Sequence, residues 1–512
     1  MPTLKDALHL KENPFENYTA ESEPNISAYA VKPPYIDTIN QRVLSKKSFI
    51  LFGDRGAGKS ATRVTLFNDI WKDLVDYDKP FIVNFLDYSA CLVKLRDGNL
   101  QEWDILKEVA YLVLEQLLIW LTSLGESDRR IYTESLTPEE MSHLIVMLRA
   151  FYLSRPEVDR KVSESAALRL LGHAWSMRGI LWASKRWDAL SKLVGNIADI
   201  FAKKVDKDAD IGGAVQDLLK NTSASASGGR VLLEKLVDTV KIFSFSGIVV
   251  LVDKVDETEI TTNSAQNTAQ LISPILSHVQ LLEVEGFAWV FFLWGDIRPH
   301  FEKEGKIRLD KIANTSIEWS VPFLKKMLNE RVRFFSDKRL EFSALFASEI
   351  DVEGNAEDLI RLSMRSPREL VRLLDIIVAE HDAKYASLDK VVLLDNQSLD
   401  AGKDKYVTTR IYDLFDRETV RQVCRVAKMQ FINKDLQSAF RISASGARNK
   451  IIAWQAAGII KQTGTRAQEG DQGGKPNYEY TVTDARIGRL IERSLIQIDD
   501  LASEEAELDL DL

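Results

Sequence analysis

Gly53-Asp54-Arg55-Gly56-Ala57-Gly58-Lys59-Ser60 satisfies G-x-x-x-x-G-K-[ST] at every fixed position, a spacing that serves phosphate chemistry. The glycines let the backbone curl so that successive N–H groups, continuing into Ala61, converge on phosphate oxygens. The helix expected next adds its positive dipole end. Lys59 is placed to reach β- and γ-phosphates, and Ser60 to ligate the Mg²⁺ that accompanies them. The plain alternative is a Gly-rich turn that matches by accident. The apolar run Ser48–Phe52 immediately upstream and the helix-compatible residues downstream favour binding of ATP or GTP.

A second acidic constellation closes the apolar run Ile248-Val249-Val250-Leu251-Val252 with Asp253, followed by Asp256 and Glu257. An aspartate at the C-terminal edge of a strand beside a phosphate loop can hold Mg²⁺ through its water shell. Hydrolysis also needs a carboxylate to orient or deprotonate water. Asp256 and Glu257 are both candidates, and spacing does not choose between them. Standing alone, the segment would read as a buried strand followed by an acidic turn.

Ser366-Pro367-Arg368-Glu369 writes a helix start, with Ser366 as N-cap, Pro367 at N1 and Glu369 closing a capping box. Arg368 is thereby set in the first turn, where it can extend towards a nucleotide, and Arg372 follows one turn later. The alternative is an ordinary surface arginine. Further on, helices are expected over Thr419–Met429 and Lys434–Phe440. A third, capped by Ser443, should run to Ala457 and be ended by Gly458. Strands Ile459–Thr463 and Tyr478–Val482 should flank a Gly-rich wing, Gly464–Asn477. Ala447, Ile451 and Trp454 share the core face of the third helix. Ser445, Arg448, Asn449 and Gln455 lie on the other side, as a groove-reading helix requires. Lys461, Arg466 and Lys475 are placed to meet phosphates. A winged helix used only for packing is the alternative to DNA contact.

The elements that must position these residues read as a doubly wound α/β core. Its strands are Ser48–Phe52, Phe81–Asp87, Ile248–Asp253, Ala288–Trp294 and Thr315–Trp319, several continuously apolar as parallel strands covered on both faces are. The expected organisation is an N-terminal segment covering the nucleotide (1–45), a P-loop core (46–91 and 247–322) and a helical insertion (92–246). A helical lid (323–410), a winged helix (411–498) and an acidic tail (499–512) follow. Apolar spacing in the insertion predicts helices over Trp103–Leu121, Pro138–Leu153, Ser163–Met177 and Asp188–Lys203. Asn221–Gly229 reads as a mobile loop. Phe323–Glu380 reads as a bundle, and Asp382–Lys405 as the polar boundary before the basic region.

The 512 residues carry a net charge of −9, with 45% hydrophobic content, typical of soluble globular chains. Between Val420 and Ser494, however, thirteen Lys/Arg face six Asp/Glu, about +7, leaving about −16 elsewhere. Such a stretch suits nucleic acid, and the acidic tail suits solvent or a protein partner. No apolar run reaches the roughly 18 residues a membrane helix needs. The N-terminus lacks a signal-peptide layout. The two cysteines and six histidines form no metal or disulfide pattern. A cytoplasmic protein without a membrane partner is expected.

Together, the phosphate loop, Asp253-x-x-Asp256-Glu257, the Ser-Pro-Arg helix start and the terminal winged helix resemble the AAA+ and STAND branch of P-loop ATPases. The order is most similar to origin-recognition-complex-like initiator ATPases, which have a lid with a sensor arginine and then a winged helix. The acid spacing resembles NACHT and KAP ATPases, in which the first Asp serves magnesium and the later acids hydrolysis. Asn13-Pro14-Phe15 and Lys32-Pro33-Pro34-Tyr35 look like the segment covering adenine in such proteins. One departure is Leu293-Trp294-Gly295-Asp296, which lacks the usual Asn, Ser or Thr sensor and leaves Asp296 as a substitute. Arg298 and Arg308 are both candidates for an arginine finger towards a neighbouring subunit in an oligomer. Bacterial ATPases of this make-up resemble components of mobile-element or phage-defence systems. The resemblance implies a slow ATPase using ATP and Mg²⁺ as a conformational switch that binds DNA. Its rival is an ATPase that scaffolds or regulates a protein partner through the insertion. A GTP switch is disfavoured by the lack of an Asn-Lys-x-Asp segment.

Overall fold

Every residue of β1 (Phe49–Gly53), β2 (Phe81–Phe85) and β3 (Ile248–Val252) is buried. These runs therefore lack polar alternation: a parallel strand covered on both faces has no solvent side to mark. With β4 (Phe287–Trp294) and β5 (Asn314–Ser316) they form one parallel sheet in the order β2-β3-β4-β1-β5. The α/β P-loop core is thus present. β5 is shorter than the expected Thr315–Trp319 and starts one residue earlier. The computed structural model describes the chain apart from residues 1–2, 20–22, 24–25, 33, 72–78, 157–210, 224–225, 306, 387–391, 467–476 and 497–512. The chain divides into two compact units, Thr19–Glu318 and Met1–Tyr18 with Trp319–Leu512.

In the first unit the sheet is covered by α1 (Lys59–Trp71), α2 (Glu102–Ser123) and other helices of the insertion. α3 (Pro138–Met147) opens on a Thr137–Glu140 capping box and runs into a π-helical turn, Leu148–Tyr152. α4 (Ile211–Ser223) and α5 (Ala226–Lys241) replace most of the loop expected at Asn221–Gly229. Small residues there serve close packing rather than freedom. A Cβ on Gly228 would stand 2.5 Å from the Thr222 carbonyl oxygen, and one on Gly229 2.7 Å from Leu106. The expected helices Ser163–Met177 and Asp188–Lys203 lie outside the described residues.

The second unit holds α6 (Val321–Phe335), α7 (Val352–Leu362), α8 (Pro367–Tyr385) and α9 (Asn396–Leu414). The polar segment Asp382–Lys405 is no open boundary: its second half is helical in α9, which packs on α8. Gly402 permits that approach, since a Cβ there would lie 2.6 Å from the Ile377 Cα. Then follow α10 (Arg417–Val426), β6 (Gln430–Ile432), α11 (Asn433–Phe440) and α12 (Ala444–Ala456). The hairpin β7 (Ile460–Arg466) and β8 (Asn477–Val482), and then α13 (Ala485–Glu492), end the described chain. β8 pairs antiparallel with both β6 and β7. β6 is an unforeseen strand: α10 stops at Val426 because Ala427 turns left-handed at φ 52°. One apolar core runs through the unit, from Leu324 and Leu374 through Tyr406 and Val423 to Trp454 and Leu490.

Candidate functional site

The phosphate loop leaves the buried end of β1 and enters α1 at Lys59. Gly56 (φ 80°) and Gly58 (φ 96°) occupy backbone conformations that side chains disfavour, and between them the Ala57 N–H donates to the Asp54 carbonyl at 3.1 Å, closing a tight turn. Lys59 is buried and its Nζ donates to the carbonyls of Gly53 at 2.7 Å and Asp54 at 3.1 Å. It thus lies along the inside of the loop that a phosphate would line. Ser60 and Ala61 follow in the first turn of α1, both half-buried.

β3 delivers Asp253 to the same edge of the sheet. Its carboxylate is almost wholly buried and accepts from Arg63 Nε at 2.9 Å through Oδ2 and from the Lys254 N–H at 2.9 Å through Oδ1. Arg63, on α1, also donates to Asn84 Oδ1 at 2.9 Å, and the Tyr88 hydroxyl donates to the Asp253 carbonyl at 2.8 Å. Burial first, then the Asp253 charge, pushes the Tyr88 phenol well up, which keeps it a neutral donor. Arg63 escaped the sequence reading because nothing local marks an arginine on a helix as buried.

Lys254 is left-handed at φ 62°, and this turn returns the chain towards the loop. Asp256, buried, accepts from Arg55 Nε at 3.2 Å, while Arg55 Nη2 donates to the Asp256 carbonyl at 3.2 Å. Glu257 is exposed and lines a neighbouring cavity of ≈ 510 Å³ with Asp87, Tyr88, Arg96, Lys254 and Glu259. The two candidate acids therefore stand in different surroundings.

β4 lies between β1 and β3, so its end reaches the gap between the loop and the acids. Asp296 follows it. Partial desolvation, then the charge of Asp54, raises the Asp296 pKa, against the pull of Arg55 and Lys59. That set of neighbours puts Asp296 at the loop. Arg298 is turned inward, over Phe52 at 4.5 Å and donating to Asn314 Oδ1 at 3.0 Å. Arg308 is exposed and forks onto Asp310 at 2.8 and 2.6 Å. Tyr35, from the expected adenine-covering segment, has its hydroxyl beside Thr62 of α1, and burial pushes its pKa up to about 12. Asn13-Pro14-Phe15 belongs to the second unit, where Arg331 donates to the Pro14 carbonyl and Phe15 is buried.

Ser60 and Asp253 are hard oxygen donors of the type Mg²⁺ takes. Among the described residues no group of three or more His, Cys, Asp or Glu could hold a metal. With Arg63 on one Asp253 oxygen, the aspartate suits a contact through water.

In the second unit, Ser366 caps α8 by accepting from the Glu369 N–H at 3.4 Å. The expected capping box does not close. Glu369 turns inward instead, accepting from the Tyr406 hydroxyl at 2.9 Å and from Arg410 at 3.0 and 3.1 Å. Arg372 pairs with Glu369 and lies over Tyr18. Arg368 is half-buried and has no hydrogen bond or ion pair with any described residue.

On α12, Ser443 caps the helix; Ala447, Ile451 and Trp454 are buried, and Ser445, Arg448, Asn449 and Gln455 are exposed. Lys461 is exposed on β7, Arg466 ends that strand opposite Asn477, and Lys475 lies outside the described residues. The basic count overstates the available charge. Arg489 binds Asp404 at 2.7 Å and Asp400 at 2.8 Å, Arg493 binds Asp404 at 3.0 Å, and Arg486 pairs with Asp484.

No helix among the described residues is long and apolar enough to cross a membrane. No protein-family model and no curated protein matches the chain. Among solved structures, the crystal structure of Cdc6p from Pyrobaculum aerophilum is similar over 93% of this chain and 99% of that one, at 10% identity and a TM-score of 0.34.

Proposed function

We propose that the chain is an ATP-binding and ATP-hydrolysing switch that binds DNA through a C-terminal winged helix. The observation that carries the nucleotide half is the contact of Arg55, on the phosphate loop, with Asp256, beyond β3. It joins a phosphate cradle to a buried carboxylate at the C-terminal edge of a parallel sheet, where open α/β folds bind ligands. The loop N–H groups and Lys59 hold the phosphates. Ser60 and Asp253 would hold Mg²⁺, which neutralises charge on the phosphate oxygens when bound. Asp256, nearer the loop, orients the attacking water, and Glu257 is the alternative base.

The DNA half rests on the exposed polar side of α12, with Arg448 and Asn449, and on Lys461 and Arg466 of the hairpin. Because the lid helices and the C-terminal module share one core, a lid that responds to ATP carries the winged helix with it. A mobile-element or defence setting suits such a switch. The ion pairs that bind Arg486, Arg489 and Arg493 favour a second reading, an ATPase regulating a protein partner with a structural winged helix.

Radiolabelled ATP turnover by wild type, Asp256→Asn and Glu257→Gln tests the hydrolytic assignment. Turnover lost with Asp256→Asn while ATP binding persists is expected. Full turnover in both variants removes both acids from the mechanism.

A further inference from the structure

Arg55 occupies a variable position of the phosphate loop, and its side chain does more than fill space. Its guanidinium donates to Asp256 Oδ2 and to the Asp256 carbonyl, each at 3.2 Å, and to Asn263 Oδ1 at 2.6 Å. It also lies 4.5 Å from the centre of the Trp294 ring. Trp294 ends β4, where related folds are expected to place a small polar sensor. One side chain therefore spans the ends of three strands: it starts after β1, grips the turn after β3 and rests on the end of β4.

We propose that Arg55 is the group that distinguishes ATP from ADP, a clasp that a terminal phosphate draws off Asp256. This deepens the nucleotide reading above and rests on it. The clasp is built to compete. Arg55 is 38% exposed while Asp256 is 7% exposed, so the arginine can leave and the carboxylate is sheltered. A guanidinium fork matches phosphate at least as well as carboxylate, and a γ-phosphate seated on this same loop lies within the reach of its second variable residue. Trp294 offers the cation an aromatic face in the parked position, so an aromatic stands where a sensor side chain would otherwise contact phosphate. ADP offers no γ-oxygens and leaves the clasp on Asp256. ATP removes it, freeing the carboxylate for water only when there is a bond to hydrolyse.

The test is equilibrium binding of ATPγS and of ADP to the full chain with Arg55 intact, Arg55→Ala and Arg55→Lys. Alongside it, the change in tryptophan emission on ATPγS binding is compared between wild type and Trp294→Phe. Arg55→Ala should lose on the order of ten-fold in preference for ATPγS over ADP, the scale of a charged hydrogen bond. Its ADP affinity should stay within about three-fold, and Arg55→Lys should recover part of the preference. The emission change should be present in wild type and largely lost in Trp294→Phe. Equal weakening of both nucleotides, or an unchanged preference, overturns the clasp. A wild-type chain that binds neither nucleotide overturns the phosphate-loop reading itself, and that result is visible before any substitution is made.

Discussion

Arg63 Nε lies 2.9 Å from Asp253 Oδ2, with 1% and 2% of the two side chains exposed. An ion pair this deep ties α1 to the end of β3 and, with the Lys254 N–H on the other oxygen, fixes the direction of the Asp253 carboxylate. Removing one partner leaves an uncompensated buried charge. Arg63→Met should therefore cost about 3–5 kcal/mol. Arg63→Met with Asp253→Asn should regain much of that loss, because neither charge is then left unpaired. Denaturant unfolding of the three proteins checks this, and a double variant no more stable than Arg63→Met would contradict it.

Lys59→Ala should abolish nucleotide binding, whereas Glu257→Gln should bind normally and Asp256→Asn should retain binding, strengthened for an ATP analogue because Arg55 is no longer held. Lys59 meets phosphates already in the ground state, but the acids act on water. Calorimetric titration with a non-hydrolysable ATP analogue separates the two classes. Unchanged affinity in Lys59→Ala would contradict the placement of phosphate on this loop.

Glu369 links α8 to α9 through Tyr406 and Arg410. Burial works to raise its pKa, but the hydrogen bonds and charge of Arg410 outweigh burial and hold the carboxyl below its usual 4.5. A depressed carboxylate contributes stability above the unfolded-state value and loses it as pH falls through the folded pKa. Glu369→Gln should cost on the order of 3 kcal/mol at neutral pH. That gap should shrink as pH drops below 4.5. Unfolding curves at neutral and acid pH measure it, and a gap independent of pH would contradict the charged network.

The combined change Arg448→Ala, Lys461→Ala and Arg466→Ala should weaken DNA binding and flatten its salt dependence. Each lost phosphate contact lowers the log–log slope by roughly 0.9 on duplex DNA. If Arg448 meets base edges instead, its share is about 1–3 kcal/mol at preferred sequences only. Arg489→Ala should act differently, destabilising the unit by leaving Asp400 and Asp404 with only the more exposed Arg493, while leaving the salt slope unchanged. Fluorescence anisotropy across a salt series reads both effects.

Patterns carried by neighbours in the chain were legible. The phosphate loop, the apolar strands and the cap and core face of α12 all follow from local spacing and appear within a residue or two of their expected bounds. What escaped depends on partners distant in sequence. Arg63 meets Asp253 190 residues away, and Arg55 meets Asp256 201 away. Glu369 obeys the local capping pattern, yet two partners about 40 residues further on outcompete its own helix N-terminus. Composition misled in two places. Gly228, Gly229 and Gly402 look like loop residues but sit where helices approach too closely for a Cβ. The polar run Asp382–Lys405 continues into α9, a helix whose Leu399, Tyr406, Val407 and Ile411 are buried.

The coupling of nucleotide to DNA is tested most directly by one titration: labelled duplex DNA against the full chain with ATPγS, with ADP and with neither, at fixed low salt. The account predicts binding whose affinity differs between ATPγS and ADP. No DNA binding in any nucleotide state would contradict it and leave the partner-regulating ATPase in its place.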